Sequence, residues 1–146
     1  MQEYEKINKV IDAYSIEKYD IKPFYTGENI SFFTKFVYMD ESDITKVKLD
    51  KREIFAHQSL NTFDFGKICI MPNGDVFANV NHPVLGNISN KTIHELLYKE
   101  IVEGKSWLRI RNQSPCKKCL YKWLCPSPSN YEIAIGKNNL CNVKSK

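Results

Sequence analysis

Cys116, Cys119, Cys125 and Cys141 are the residues whose type and spacing could do chemistry in this chain. Two cysteines separated by two residues can aim their sulfurs from one turn at a single ion or cluster. A third cysteine follows after five residues and a fourth after fifteen more, so the set can close from the far side of a loop. Four thiolates serve iron–sulfur clusters and zinc alike, and the spacing alone leaves both open. Lys117, Lys118 and Lys122 beside the thiols are expected to lower their pKa and favour the thiolate that a metal needs. Trp123, between Cys119 and Cys125, is expected to shield the metal from water. The fifth cysteine, Cys69, sits between Ile68 and Ile70 and reads as a buried structural thiol.

Nothing else in the chain forms a comparable constellation. His57, His82 and His94 do not cluster, the acidic residues show no pairing that demands acid–base work, and no phosphate loop or nucleophile motif occurs. Catalytic residues are therefore not assigned. Arg109 and Arg111 read as salt-bridge partners. The formal charge of +4 includes the late lysines Lys117, Lys118, Lys122, Lys137, Lys144 and Lys146, which read as solvated groups beside an anionic metal centre. Nucleic acid is a poor fit as partner, because no basic stripe is interleaved with aromatics.

Five cysteines pair badly into disulfides, and the N-terminus has no apolar signal core, so reduced thiols in a cytoplasm are expected. No stretch has the length of a membrane span. At 146 residues with 42% hydrophobic content, the chain can build one core.

The elements that must position the cysteines follow from periodicity and punctuation. Ile7, Val10, Ile11 and Tyr14 predict a helix over 2–16. The 19–25 run, with Pro23 inside it, predicts an edge strand or an extended link, and Asn29 a cap for a helix carrying Ile30, Phe33, Phe36 and Val37. Residues 40–51 are expected to be exposed, and 54–60 fits helix or strand. A hairpin is expected over 67–80, with Asn73-Gly74 supplying the positive-φ turn, followed by a loop at 85–88 whose apolar tip is buried. Thr92 and Glu95 form a capping box for a helix with Ile93, Leu96, Leu97 and Ile101 inward. Trp107, Leu108 and Ile110 suggest a short helix, and 129–135 another that stops at Gly136. The segment from Pro115 to Cys141 has too little apolar surface to order itself, so a metal staple is expected to hold it. The fold class is α+β, divided into a helical and extended segment over 1–50 and a metal-binding domain over 51–146.

The Gly-Asn-Ile segment after the hairpin, Trp107…Arg111, Pro115-Cys116-x2-Cys119, Leu124-Cys125-Pro126, Asn130-Tyr131-Glu132 and Asn139-Leu140-Cys141 together resemble a SPASM domain. That domain is the C-terminal iron–sulfur extension of radical-S-adenosylmethionine enzymes that modify peptides and proteins. Pro23-Phe24-Tyr25-x-Gly27-x-Asn29, Phe32-Phe33 and Phe65-Gly66-Lys67 look like the pseudo-radical-SAM branch encoded beside precursor peptides with Gly-Gly leaders. The resemblance runs from about Pro23 onward.

Carried over position by position, the resemblance makes Cys116, Cys119, Cys125 and Cys141 the ligands of one [4Fe–4S] cluster, with zinc as the alternative occupant. The family's other auxiliary cluster would need thiolates where Asn79 and Ser129 stand, so it is expected to be missing. The Cys-x3-Cys-x2-Cys motif for radical cleavage is also missing, so the chain alone is not expected to generate a radical. The resemblance implies a SPASM-type module of a peptide maturation system that binds a ribosomally made precursor peptide or docks on a radical-SAM maturase. The alternatives are the C-terminal part of a complete peptide-modifying enzyme and a zinc-stapled domain that binds nucleic acid. A residue 1–50 remnant of the barrel end is part of the same expectation.

Overall fold

A computed structural model describes residues 2–19, 22–103 and 105–143. Lys144 and Lys146 lie outside the described residues, as do Asp20 and Ile21 of the 19–25 link. The chain forms two compact units, 1–37 and 38–146, so residues 38–50 belong with the cysteine-bearing part.

The first unit holds α1 (Gln2–Ala13) and α2 (Ile30–Phe36). Helix α1 is shorter than its periodicity predicts, since Ser15 turns to a φ of 47°. Its apolar face stays in solvent, with Ile7, Val10 and Tyr14 exposed. Tyr4 stacks on Phe36 at 5.3 Å between ring centroids, and Tyr25 meets the buried Phe33 edge-on at 5.4 Å. Asn29 occupies the cap position of α2 but makes no capping bond. Its side chain instead accepts from the Thr26 N–H at 3.0 Å and donates to the Phe24 carbonyl at 2.8 Å, closing the preceding turn.

The second unit is α+β. Its helices are α3 (Glu41–Thr45), α4 (Lys51–Ser59), α5 (Ile93–Glu103) and α6 (Asn130–Ile135), and its strands are β1 (Cys69–Ile70), β2 (Asp75–Phe77) and β3 (Gly86–Asn87). Residues 40–51 are more ordered than their charge suggests. Asp40 with Asp43 and Asp50 with Glu53 make capping boxes for α3 and α4, and α3 buries Ile44.

The three strands form an antiparallel sheet in the order β1-β2-β3. The hairpin is present, with Cys69 opposite Phe77 and Ile70 opposite Val76. Its turn differs from expectation: only Gly74 takes a positive φ, 85°, and its N–H closes on the Met71 carbonyl at 2.8 Å. Pro72 takes the position of such a turn that its ring pre-sets. Residues 86–87 are a strand, where the sequence predicts a loop, because Val76 pairs with Gly86. A Cβ on Gly86 would stand 2.7 Å from Leu96 Cδ2, so glycine lets the strand approach α5.

The core comprises Val76, Ala78, Leu85, Leu96 and Trp107, with Ile68 and Leu97 packed against it. The capping box of α5 forms as expected, Thr92 N–H to Glu95 Oε2 at 2.7 Å and Glu95 N–H to Thr92 Oγ1 at 3.3 Å. Its expected inward face forms only in part: Leu96 and Leu97 pack into the core. Ile93 and Ile101 are exposed while Glu100 is buried, because the Glu100 carboxylate accepts from the Ser106 and Trp107 amides, each at 2.7 Å. Those bonds hold a bend and turn over 106–108, with 109–110 irregular, rather than the expected helix. Among the described residues, no helix is long and apolar enough to cross a membrane.

Candidate metal centre

Three separate stretches bring the four tail cysteines to one void. In the first, a short 3-10 turn over Cys116–Lys118 closes with the Cys119 N–H on the Cys116 carbonyl at 3.1 Å, which keeps both thiols on one side. In the second, the Cys125 N–H bonds the Tyr121 carbonyl at 3.1 Å. In the third, Cys141 pairs in parallel with Met39, and the Met39 N–H bonds the Leu140 carbonyl at 3.0 Å. Neighbouring elements hold this arrangement. The Tyr121 hydroxyl bonds Glu41 of α3, Gln58 of α4 donates to the Lys122 carbonyl at 3.1 Å, and Asn142 donates to Asp40 at 3.0 Å.

Cys116, Cys119, Cys125 and Cys141 all line the same cavity, closed by apolar Met39, Ile44, Pro115 and Val143. It leaves about 20 Å³ for the centre of a water-sized particle, more than the ~10–15 Å³ that one water needs. Cys125 is buried and the other three are half-buried. By its chemistry, four soft thiols on the wall of one void, the set is of the kind that zinc and iron–sulfur centres take. Among the described residues, no group of three His, Cys, Asp or Glu side chains is placed to hold a metal ion as it stands. The thiols line the wall of the void without forming such a group.

Burial governs the thiols of Cys125 and Cys141. It pushes Cys125 up to about 11, assisted by the neighbouring Cys119, Cys141 and Cys116 and opposed by Arg111. Cys141 is also raised, chiefly by burial. The expected lysine effect is not among the causes at these two thiols, where the cation opposing the rise is Arg111. Trp123 does not shield the site either: it is 55% exposed, with Lys122 Nζ 5.7 Å from its ring centroid. Cys69 is half-buried on β1 and lies outside the cavity, its sulfur 4.0 Å from that of Met71.

Arg111 lies between the thiols and a buried acid. Its Nη1 is 3.9 Å from the Cys116 sulfur, its Nη2 is 3.0 Å from Glu132 Oε1, and its Nε donates to the Pro126 carbonyl at 2.7 Å. Burial works against the Arg111 charge, but Glu132, Cys116 and Cys125 outweigh it and raise its pKa. The guanidinium thus stays charged beside sulfurs that a metal would hold as thiolates.

A second buried network ties the tail to the turn at 61–64. Asn61 is fully buried, donates to the Pro128 carbonyl at 2.8 Å, and accepts from the Phe63 and Asp64 amides at 3.0 and 3.2 Å. Ser127 Oγ accepts from the Thr62 N–H at 3.0 Å. Asn79 donates to Asp64 at 2.9 Å and to Asn130. Arg109 donates to the Pro128 and Ser129 carbonyls at 3.0 and 3.2 Å and lies 3.6 Å from Asp64. The tail is therefore held by protein groups as well as by any metal, contrary to the expectation of a metal staple alone. The salt bridges expected of Arg109 and Arg111 are present. Glu132 and Asn61 had no such signal, because only folding shows which polar side chains end up buried. Helix α6 runs as expected, capped by Gly136 at a φ of 72°. His94 is exposed, and His82 Nδ1 lies 2.7 Å from Ser106 Oγ, so neither joins the thiols.

Comparison with known proteins found no matching family, no similar curated protein and no similar solved structure.

Proposed function

We propose that this chain is a thiolate metal-binding module of SPASM type, holding one [4Fe–4S] cluster and serving the maturation of a ribosomally made peptide in the cytoplasm. The observation that carries the reading is the meeting of Cys116, Cys119, Cys125 and Cys141 at one void beside a cationic Arg111. Those four side chains would hold the centre. A cluster ligated by four protein thiolates would supply shape and electron-relay capacity rather than an open iron for substrate. Arg111 balances the thiolate charge, Glu132 fixes Arg111, and Met39, Ile44 and Val143 keep water from the sulfurs.

The departures from the family pattern support a single centre. Asn79 is bonded to Asp64 and Asn130, and the Ser129 carbonyl accepts from Arg109. The Asn79 amide is thus already paired with protein groups. With no radical-generating motif in this sequence, the role is binding: a precursor peptide, or docking on a maturase.

Anaerobic purification followed by iron, sulfide and zinc analysis and an absorption spectrum tests the metal assignment. About four irons and four sulfides per chain with broad visible absorption support the cluster. About one zinc with no visible band replaces it with a zinc staple. No metal bound, under conditions that keep the thiols reduced, overturns the reading.

A further inference from the structure

The loop from Cys116 to Cys125, which carries three of the four thiols, turns apolar side chains outward. The Lys122 N–H closes on the Cys119 carbonyl at 3.2 Å, so Leu120 and Tyr121 take the two corners of that turn. Corners of turns favour glycine, proline and short polar residues. Here the Tyr121 hydroxyl bonds Glu41, whereas Leu120 is 85% exposed. Trp123 follows at 55% exposure. A single exposed leucine is ordinary, but a leucine and a tryptophan together, ringed by charged groups, mark an interaction surface.

The charge around these two side chains has one sign. From Lys105 to Tyr131 the sequence holds six cations and no acidic residue. The fold pairs three of them: Lys105 with Glu103, Arg109 with Asp64 and Arg111 with Glu132. The three that make no ion pair among the described residues are Lys117, Lys118 and Lys122, all in this loop. Lys117 and Lys118 are exposed, and Lys122 Nζ stands 5.7 Å from the Trp123 ring centroid. Glu41, the acid that touches the loop, is engaged with Tyr121. A thiolate centre in the void would offset part of this charge. It would not account for Leu120 and Trp123, since neither lines the void.

We infer that this loop is a docking surface for an acidic segment of a partner protein, which sets carboxylates against Lys117, Lys118 and Lys122 and an apolar side chain against Leu120 and Trp123. This rests on the binding role proposed above, names the surface and the chemistry of what it binds, and stands whichever metal the thiols hold. Nucleic acid fits less well, because the most exposed apolar group is aliphatic and offers a base no ring to stack on. The contact is small and steered by charge, so it is weak and steep in salt.

The test titrates the full chain with a synthetic amphipathic peptide of glutamate and leucine, followed by calorimetry and by tryptophan emission. Its glutamine-for-glutamate and serine-for-leucine counterparts and a single-stranded DNA oligonucleotide are the controls. Metal content is measured on each sample. Trp107 is 6% exposed, so a blue shift that disappears in Trp123→Phe reports the loop. Saturable binding of the acidic peptide, about tenfold weaker or worse for either counterpart and falling as salt rises, is expected. Leu120→Ser, and Lys117→Gln combined with Lys118→Gln, should each weaken it several-fold while leaving thermal unfolding and metal content unchanged. Equal binding of the glutamine peptide, no saturation at millimolar concentration, or tighter binding of the oligonucleotide would overturn the inference, as would an unchanged affinity in the Leu120 variant. Failed docking with metal bound removes this assignment alone. Docking in a chain that takes up no metal keeps it and removes the metal reading instead.

Discussion

Arg111 and Glu132 form a buried ion pair, Nη2 to Oε1 at 3.0 Å with each side chain 4% exposed, directly behind the four-thiol void. The pair joins the segment before Cys116 to α6, which lies between Cys125 and Cys141. It thus fixes the part of the void's wall that Arg111 supplies.

Breaking that pair by Arg111→Met should cost about 3–5 kcal/mol, because it leaves a buried carboxylate uncompensated. Urea denaturation of the metal-free protein measures the loss. Replacing both partners, Arg111→Met with Glu132→Met, should recover most of it. A double variant as unstable as the single one would show that packing, not the stranded charge, is the cause.

Asn61→Ala should destabilise the fold by about 1–3 kcal/mol for each buried group it leaves unpaired. The Phe63 amide loses its acceptor, while the Pro128 carbonyl keeps Arg109 Nη2 and the Asp64 amide keeps the Asn61 carbonyl. Hydrogen exchange at Phe63 and Asp64 should accelerate in step with the global loss. Unchanged protection there would contradict the network's role.

Cys119→Ser should loosen the loop from Cys116 to Cys125 while α6 keeps its exchange protection. The loop depends on any bound centre and on a few bonds such as Gln58 to the Lys122 carbonyl. Helix α6 is held independently by Arg111 and by the bond from Asn79 to Asn130. Collapse of protection across both would mean that the metal orders the whole tail.

Acidification should weaken the fold through His82. Its pKa lies below the ordinary value of about 6.5, first because of burial and then because Arg109 repels the charged ring, against the pull of Asp64 and Glu100 and with a further push from Lys105. A depressed pKa means that the unfolded chain binds the proton more readily. The contribution of His82 is therefore complete above about pH 6.5 and is lost as pH falls below it. Thermal unfolding of the wild type and His82→Gln between pH 7.5 and pH 5 should show a shallower decline in the variant. Parallel curves would remove His82 from the account.

Some of this architecture is legible along the chain because its cause is local. Thr92 and Glu95 lie three residues apart and make their capping box with each other, Gly136 ends α6 by its own φ, and Gly74 turns the hairpin. Where the cause is a distant neighbour, local reading misleads. Gly86 and Asn87 became a strand because β2 was there to pair with them, and Glu100 took a place inside α5 because two amides waited beyond the helix end. Trp123 offered no sign that it would face solvent.

The sequence by itself determined the candidate donor set: four cysteines, their spacing, and the turn that aligns Cys116 with Cys119. Only the tertiary structure decided that Cys141 would reach them, by pairing with Met39 from the far end of the unit, and that Arg111 would stand between the sulfurs and Glu132. The reason is physical. A turn is set by the dihedral preferences of adjacent residues, whereas burial and charge compensation depend on which remote groups share the same low-dielectric space.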